Sequence, residues 1–417
     1  MFPNNLTLVG YHKTAFFFRK SQSFVIKMTT ISKCFTNNVL AWKIFGIWSG
    51  PNPNKYYKYF SFIFVNLTLT IFNLFLTINL FYTYNNIENL LHEVIYFFTE
   101  ITVVAKASMI LFWKKEIMIA FDILDSDDFE GNDEKSIEII EKDVSTYKKI
   151  FKFYFYFCNL SYILAIVPGF VDYLLGNDSE FPISKYNFLG DEIREQYFTL
   201  LYFYQSFCIY VHMVYNISVD SLITGFVFLI ITQLKVLKYK FKRLNFKNRA
   251  LKRRNASEVN CQSQKNLNQC FRHFDIILRY RCIVQDITSV TLFVVFGMAS
   301  AIICVTLCGF HLGSTVNSLL FLLTYITAMV LIIFVPSWLG TQLMYESKDL
   351  VTAAYNSDWM NSSKEFKRSI IIFMERTKTP MCVVGMKMFL LSLDTFITIM
   401  KTAYSLYTLI SRFRNVT

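Results

Sequence analysis

The sequence predicts an all-α polytopic membrane protein with seven transmembrane helices, its N-terminus cytoplasmic and its C-terminus extracellular. Three observations predict it. The 417 residues are 54% hydrophobic and only 17% charged, where a soluble chain carries about 25% charge. Seven apolar stretches each reach the ~20 residues that cross a bilayer. Fourteen lysines and arginines lie between Leu234 and Asp286, and loops this basic and shorter than about 60 residues stay in the cytoplasm. Four stretches precede that loop and three follow it, which puts the N-terminus inside and the C-terminus outside. That parity is the reverse of a G-protein-coupled receptor.

Residues 1–36 carry no readable pattern, and no basic n-region leads an apolar run to a cleavage site, so the first span is expected to serve as its own insertion signal. Asn38 is placed to cap a short amphipathic helix with Leu40, Ile44, Ile47 and Trp48 on one face, an interfacial helix within a cytoplasmic segment 1–57. Pro51 and Pro53 end it. The spans follow at roughly 58–82, 91–112, 150–175, 198–233, 287–308, 318–340 and 384–411. The fourth is too long for one crossing and is expected to project into the cytoplasm, as are extensions of helices two and three around residues 113–149. The basic loop, 234–286, reads as irregular across the polar run Asn255–Asn268 and as helical again towards Asp286. Its solvated reading follows the positive-inside rule, and contact with membrane lipid headgroups is the alternative.

The outer loops, 83–90, 176–197 and 309–317, contain only Lys185 and Arg194 as basic residues. Asn177 is the expected glycosylation site, because it heads a sequon in the longest outer loop. The formal charge of +12 is sorted to one membrane side, so no nucleic-acid partner is expected. Nine cysteines fall on no external pairing framework and no zinc spacing. Five scattered histidines offer no constellation for catalysis, so the chain reads as a non-enzyme without metal or cofactor. No internal repeat aligns, which weighs against a transporter built from repeats.

Within the spans, Glu93, Glu100 and Lys106 stand out, because charge inside a membrane is costly unless paired or used. Glu93 and Glu100 share a helix face and Lys106 does not; none has an evident partner in sequence. Asp220 and Asp394 read as interhelical hydrogen-bonding groups. On the last helix Thr395, Thr398, Thr402, Ser405, Thr408 and Arg412 recur every three or four residues. Packing through backbone-bonded hydroxyls is one account of that stripe; six polar positions in register favour a water-facing one.

The run Leu391–Ile410, LSLDTFITIMKTAYSLYTLI, is similar to the C-terminal signature of insect odorant receptors. Upstream, AYNSDW (Ala354–Trp359), RSIIIFMERTKTP (Arg368–Pro380) and Val384-Gly385 fall in that family's order and spacing. The seven spans, reversed topology and long basic loop extend the resemblance along the chain. It implies a tuned subunit that joins a shared co-receptor in a heterotetramer, a non-selective cation channel in the plasma membrane of olfactory sensory neurons. It further implies a cytoplasmic anchor segment over 341–383 and a pore-lining seventh helix within 384–417. Aligned on SLDTF, Leu409 and Phe413 match the hydrophobic gate. Arg412 departs from the co-receptor's glutamine, and Ser405 and Thr402 fall on the same pore-facing stripe. The co-receptor's long insertion is absent. A gustatory receptor of the same superfamily is the second reading, weakened by Ser405-Leu406 and Arg412-Phe413 at its signature positions.

The resemblance places the odorant pocket in the outer half of the membrane within 58–340. The residues expected to line it are Tyr96 and Phe97 on helix two, Tyr162 and Ile166 on helix three, Cys208 and His212 on helix four, and Tyr325 and Met329 on helix six. Leu164, Tyr204 and Thr324 are further possibilities, and Glu100 is the one group there with which an amine could pair. Aromatic walls with few hydroxyls suit a small neutral volatile.

Overall fold

The computed structural model describes residues 31–417 except 51–53, 84–86, 132, 177–180, 252–255, 311–315, 358, 361 and 415–417. For 87–89, 130, 245–251, 256–261, 413 and 414 it describes the backbone alone. Asn177 and Asn255 therefore lie outside the described residues, as does the side chain of Phe413.

Helices make up nearly the whole fold: α1 (Thr36–Ile44), α2 (Lys55–Tyr82), α3 (Ile87–Phe112), α4 (Lys114–Leu124), α5 (Asp127–Glu130), α6 (Glu134–Leu174), α7 (Asp191–Gln196), α8 (Phe198–Leu251), α9 (Ala256–Gly309), α10 (Val316–Tyr355), α11 (Lys364–Thr377) and α12 (Leu393–Arg414). One turn of α2, Asn66–Ile71, is π-helical. Six helices among the described residues are long and apolar enough to cross a membrane: α2, α3, α6, α8, α9 and α10. The seventh, α12, has 22 residues, enough for about 33 Å of rise, but Asp394, Lys401 and its run of Thr, Ser and Tyr residues leave it less apolar than those six. The fold is that of a polytopic membrane protein.

The basic region is helical on both sides of 252–255, which corrects the irregular reading of Asn255–Asn268. From Ala256 onward α9 is continuous. Its apolar stripe explains why: Leu267, Cys270, Phe274, Ile277 and Val284 recur every three, four or seven residues and are all buried, which meets the 3.6-residue period. Likewise α6 starts at Glu134 and α10 runs to Tyr355, far beyond their apolar stretches.

The seventh helix begins at Leu393, not at 384. Val384–Gly385 and Phe389–Leu390 form a two-stranded antiparallel hairpin instead, turned by Met386 (φ 44°) and Lys387 (φ 62°). Left-handed backbone at two successive positions cannot continue a helix. The hairpin is held from α9, where Gln285 accepts from Val384 N at 2.8 Å and donates to Val384 O at 2.6 Å.

The N-terminal segment docks onto α8. Asn38 is not a cap but sits inside α1, donating to Ser218 O at 2.7 Å, and Trp42 Nε1 donates to Ser218 Oγ at 2.8 Å. Val39, Trp42, Ile47 and Trp48 are buried while Leu40 and Ile44 are exposed, so the expected four-residue face is split between the two. Phe35 fills a notch among Phe121, Tyr147 and Phe226. Gly225 makes the notch, since a Cβ there would lie 2.6 Å from the Phe35 ring.

Candidate ligand-binding site

Above this base, α3, α6, α8 and α10 converge on a cavity of about 110 Å³. It is of the order of the ~150 Å³ apolar cavity that takes up benzene, and smaller than the ~300–1,000 Å³ of drug-sized pockets. From α3 come Tyr96, Thr99 and Glu100, at i, i+3 and i+4 on one face. From α6 come Tyr154, Cys158, Ser161, Tyr162 and Ala165, which keep the same helical register. Residues Ile209, His212, Met213, Asn216 and Ile217 of α8 and Phe321, Tyr325, Ala328, Met329 and Ile332 of α10 complete the wall.

The wall is aromatic and largely self-satisfied. Tyr96 stacks on Phe321 with ring centroids 6.4 Å apart and 11° between planes, and Phe321 tilts against Tyr325 at 5.6 Å. The hydroxyls of Thr99 and Tyr325 bond each other across α3 and α10. Tyr162 donates to Ser206 O at 3.1 Å.

The ionisable pair in this wall resolves a question the sequence left open. Glu100 Oε1 lies 2.9 Å from His212 Nδ1, and Glu100 Oε2 accepts from Asn73 Nδ2 at 3.2 Å. His212 Nε2 is 3.1 Å from Thr68 O. A carbonyl only accepts, so Nε2 carries a proton, and one further proton lies between Nδ1 and the carboxyl group. Wherever that proton sits, the pair is neutral as a unit. Both groups are buried, with His212 and Glu100 only 2% and 5% exposed.

Lys106, Asp220 and Glu93 also find partners. Lys106 Nζ is 2.7 Å from Asp220 Oδ1 and donates to Asn216 Oδ1 at 2.9 Å. Glu93 Oε1 accepts from Asn79 Nδ2 at 2.7 Å. Asn216 lines the cavity, and Asp220 lines a second apolar cavity of about 130 Å³ below it, which shares Tyr154 and Ile332. The ion pair thus sits against the partition between the two.

Of the residues expected to line a pocket, the structure brings Tyr96, Tyr162, His212, Tyr325 and Met329 together around the upper cavity. It sets Phe97, Ile166 and Cys208 outside that wall. Cys208 packs instead with Phe72 and Ile95, and Ile166 offers its carbonyl to Tyr202. Thr99, Tyr154, Ser161, Asn216 and Ala328 were not anticipated; helical spacing from Tyr96, Tyr162, His212 and Tyr325 is the signal that reaches all of them but Ser161, the neighbour of Tyr162. The outer segment after α6 was also read only as a loop. Within it Ile183 and Ser184 are buried against α8, where Gln205 accepts from Ile183 N at 3.2 Å and donates to Ser184 O at 2.7 Å. Ile183 joins the apolar cluster of Tyr96 and Tyr325.

On α12, Thr402, Ser405, Leu409 and Arg412 are exposed on the single chain, while Ala403 is buried and Phe396, Ile399 and Met400 pack on the core. Thr402 donates to Thr398 O at 2.9 Å, and Thr408 to Ser405 O at 2.9 Å.

A bundle of membrane-length helices around an aromatic, small-molecule-sized cavity defines a polytopic membrane protein with a candidate ligand site. The chain belongs to the insect odorant receptor family: residues 86–404 match the family model described as 7tm Odorant receptor. It is similar to Odorant receptor 2a of Drosophila melanogaster, 22% identical over 383 residues that cover 89% of this chain and 94% of that one. Odorant receptor 19a of the same fly is 30% identical over 144 residues, 33% of this chain and 36% of its own. Among solved structures, the insect olfactory receptor OR5 from Machilis hrabei in complex with eugenol superposes with a TM-score of 0.75. The identity is 14%, covering 92% of this chain and 98% of that one, and at that identity the likeness is one of fold.

Proposed function

We propose that this chain is a tuned odorant receptor subunit that binds a small neutral volatile in the cavity between α3, α6, α8 and α10. In this reading it assembles with the shared co-receptor as a heterotetramer and opens a non-selective cation channel. It works in the plasma membrane of olfactory sensory neurons, with the N-terminus and the basic ends of α8 and α9 inside. Leu409 and Phe413 form the hydrophobic gate, and Thr402, Ser405 and Arg412 face the conduction path. The single observation that carries the binding half is the aromatic, largely apolar cavity whose one acid, Glu100, is already matched by His212.

Ligand class follows from that match. An ionised ligand loses its hydration in the cavity and finds no free counter-charge there, a cost of several kcal/mol. An apolar ligand gains about 25 cal/mol for each Å² it buries. The structured relative binds eugenol, by its description, and a neutral monocyclic compound of that kind is the ligand class expected here.

The test is a calcium-imaging panel of alcohols, esters, ketones, aromatics, amines and carboxylic acids matched for carbon number, with and without the co-receptor. Neutral compounds should be the most potent, and the response should need the co-receptor. Ionised amines or acids as best agonists would refute the ligand class. A large current from this chain alone would refute the heteromeric reading.

A further inference from the structure

At the basic end of the bundle, α8 and α9 frame a polar cavity of about 340 Å³ against the segment that joins α5 to α6. Its charged walls are Lys240 and Arg243 from α8, Arg272 from α9, Asp128 from α5, and Asp133 from the joining segment. Each carboxylate already has a guanidinium: Asp133 is paired with Arg243, and Asp128 lies 3.2 Å from Arg272 Nη2. Lys240 has no carboxylate within ion-pair distance among the described residues.

Instead, Lys240 is held in place by a directed chain of hydrogen bonds. Its ammonium donates to His273 Nδ1 at 3.2 Å, His273 Nε2 donates to Gln233 Oε1 at 3.0 Å, and Gln233 Nε2 donates to Phe129 O at 2.9 Å. Every acceptor in this chain fixes the next donor, so His273 is the neutral Nε2–H tautomer. His273 lies on the extension of α9, before the apolar stretch at 287–308. Burial, with Lys240 beside it, pushes its imidazole down to about 3, so it stays neutral and adds no charge of its own. The remaining N–H bonds of Lys240 have no acceptor among the described residues.

We propose that this cavity binds a phosphate-bearing molecule, with Lys240 fixed at its wall and Arg243 and Arg272 supplying guanidinium groups beside it. Three cations against two carboxylates leave a net positive chamber. A lysine point charge with guanidinium forks nearby is the donor set that suits a phosphate's several oxygens. A metal cation fits poorly, because both carboxylates are engaged and an ammonium shares the space. Lys240 lies seven residues beyond Gln233, about 10 Å of helix past the apolar stretch. A lipid headgroup and a dissolved phosphate compound both reach that level. The cytosolic address rests on the orientation proposed above; binding itself does not.

The test uses the full chain purified in detergent, with soluble inositol trisphosphate as probe in titration calorimetry. In parallel, the chain is placed in nanodiscs of phosphatidylcholine carrying either phosphatidylinositol bisphosphate or phosphatidylserine at equal charge. Saturable binding of the soluble probe assigns the site to a free phosphate compound, and a raised melting temperature in the phosphoinositide nanodiscs alone assigns it to a headgroup. Lys240→Gln, which keeps a donor towards His273 but removes the charge, should weaken binding about tenfold, the size of one charge-assisted contact. Arg272→Gln, outside the buried chain of hydrogen bonds, should weaken it in the same direction and serves where Lys240→Gln does not fold. Lys242→Gln, exposed on the same helix, should leave affinity unchanged. The proposal fails if no phosphate probe binds saturably. It also fails if Lys242→Gln weakens binding as much as the cavity variants, which would mark diffuse attraction to a basic surface.

Discussion

Replacing Lys106 with methionine should cost about 3–5 kcal/mol of stability and strip the protein from the cell surface. The substitution leaves Asp220 as a buried carboxylate without its cation, and an uncompensated buried charge is what makes breaking such a pair expensive. Lys106 and Asp220 have side-chain exposures of only 1% and 14%, so water does little to relieve it. The double variant Lys106→Met/Asp220→Leu should recover most of the loss, since exchanging a whole buried pair for apolar groups is close to neutral. Surface biotinylation and thermal unfolding of the purified chain measure both. Wild-type stability in the single variant would mean that Asp220 is hydrated or protonated and the pair carries little.

The second large effect is expected at Gly340. A Cβ there would lie 2.1 Å from the Leu391 carbonyl oxygen, a backbone atom at the foot of α12 that cannot rotate away. Gly340→Ala should therefore push α10 and α12 apart, at a cost of roughly 1–3 kcal/mol for overpacking. Gly297 offers the contrast, because nothing lies within 4 Å of its built Cβ. In a helix interior Gly297→Ala should stabilise by up to about 1 kcal/mol. Melting temperatures moving in opposite directions would confirm the close approach; a neutral Gly340→Ala would show that the α10–α12 contact is loose.

Sequence periodicity found the helices because length and apolarity act along the chain, as in α8 and α10. It missed where α12 begins, because the hairpin at 384–390 is set by two left-handed residues, Met386 and Lys387, that composition does not mark. It named the helices that frame the upper cavity but not their full inward faces. Tyr96 and Phe97 are adjacent and so point about 100° apart; Tyr96 lines the cavity, while Phe97 packs beside it against Phe98. A phenylalanine packed on a neighbouring helix and one facing lipid look alike in sequence, since lipid tails and protein cores are equally apolar. Long-range pairs were beyond reach for another reason. Lys106 and Asp220 are 114 positions apart, and no local pattern couples a charge on one helix to a charge on another.

The central claim is that the volatile sits in the cavity between α3, α6, α8 and α10, and that its occupancy opens the channel. Ala328 lines that cavity and is buried, whereas the adjacent Thr327 is exposed on the far face of α10. The direct measurement is the odorant dose–response of Ala328→Phe and Thr327→Phe, each co-expressed with the co-receptor and matched for surface level. Filling the cavity should raise the half-maximal concentration roughly tenfold to a hundredfold, the equivalent of about 1–3 kcal/mol of overpacking, while Thr327→Phe responds like the wild type. An unchanged dose–response in Ala328→Phe at full surface expression would place the ligand elsewhere and contradict the account.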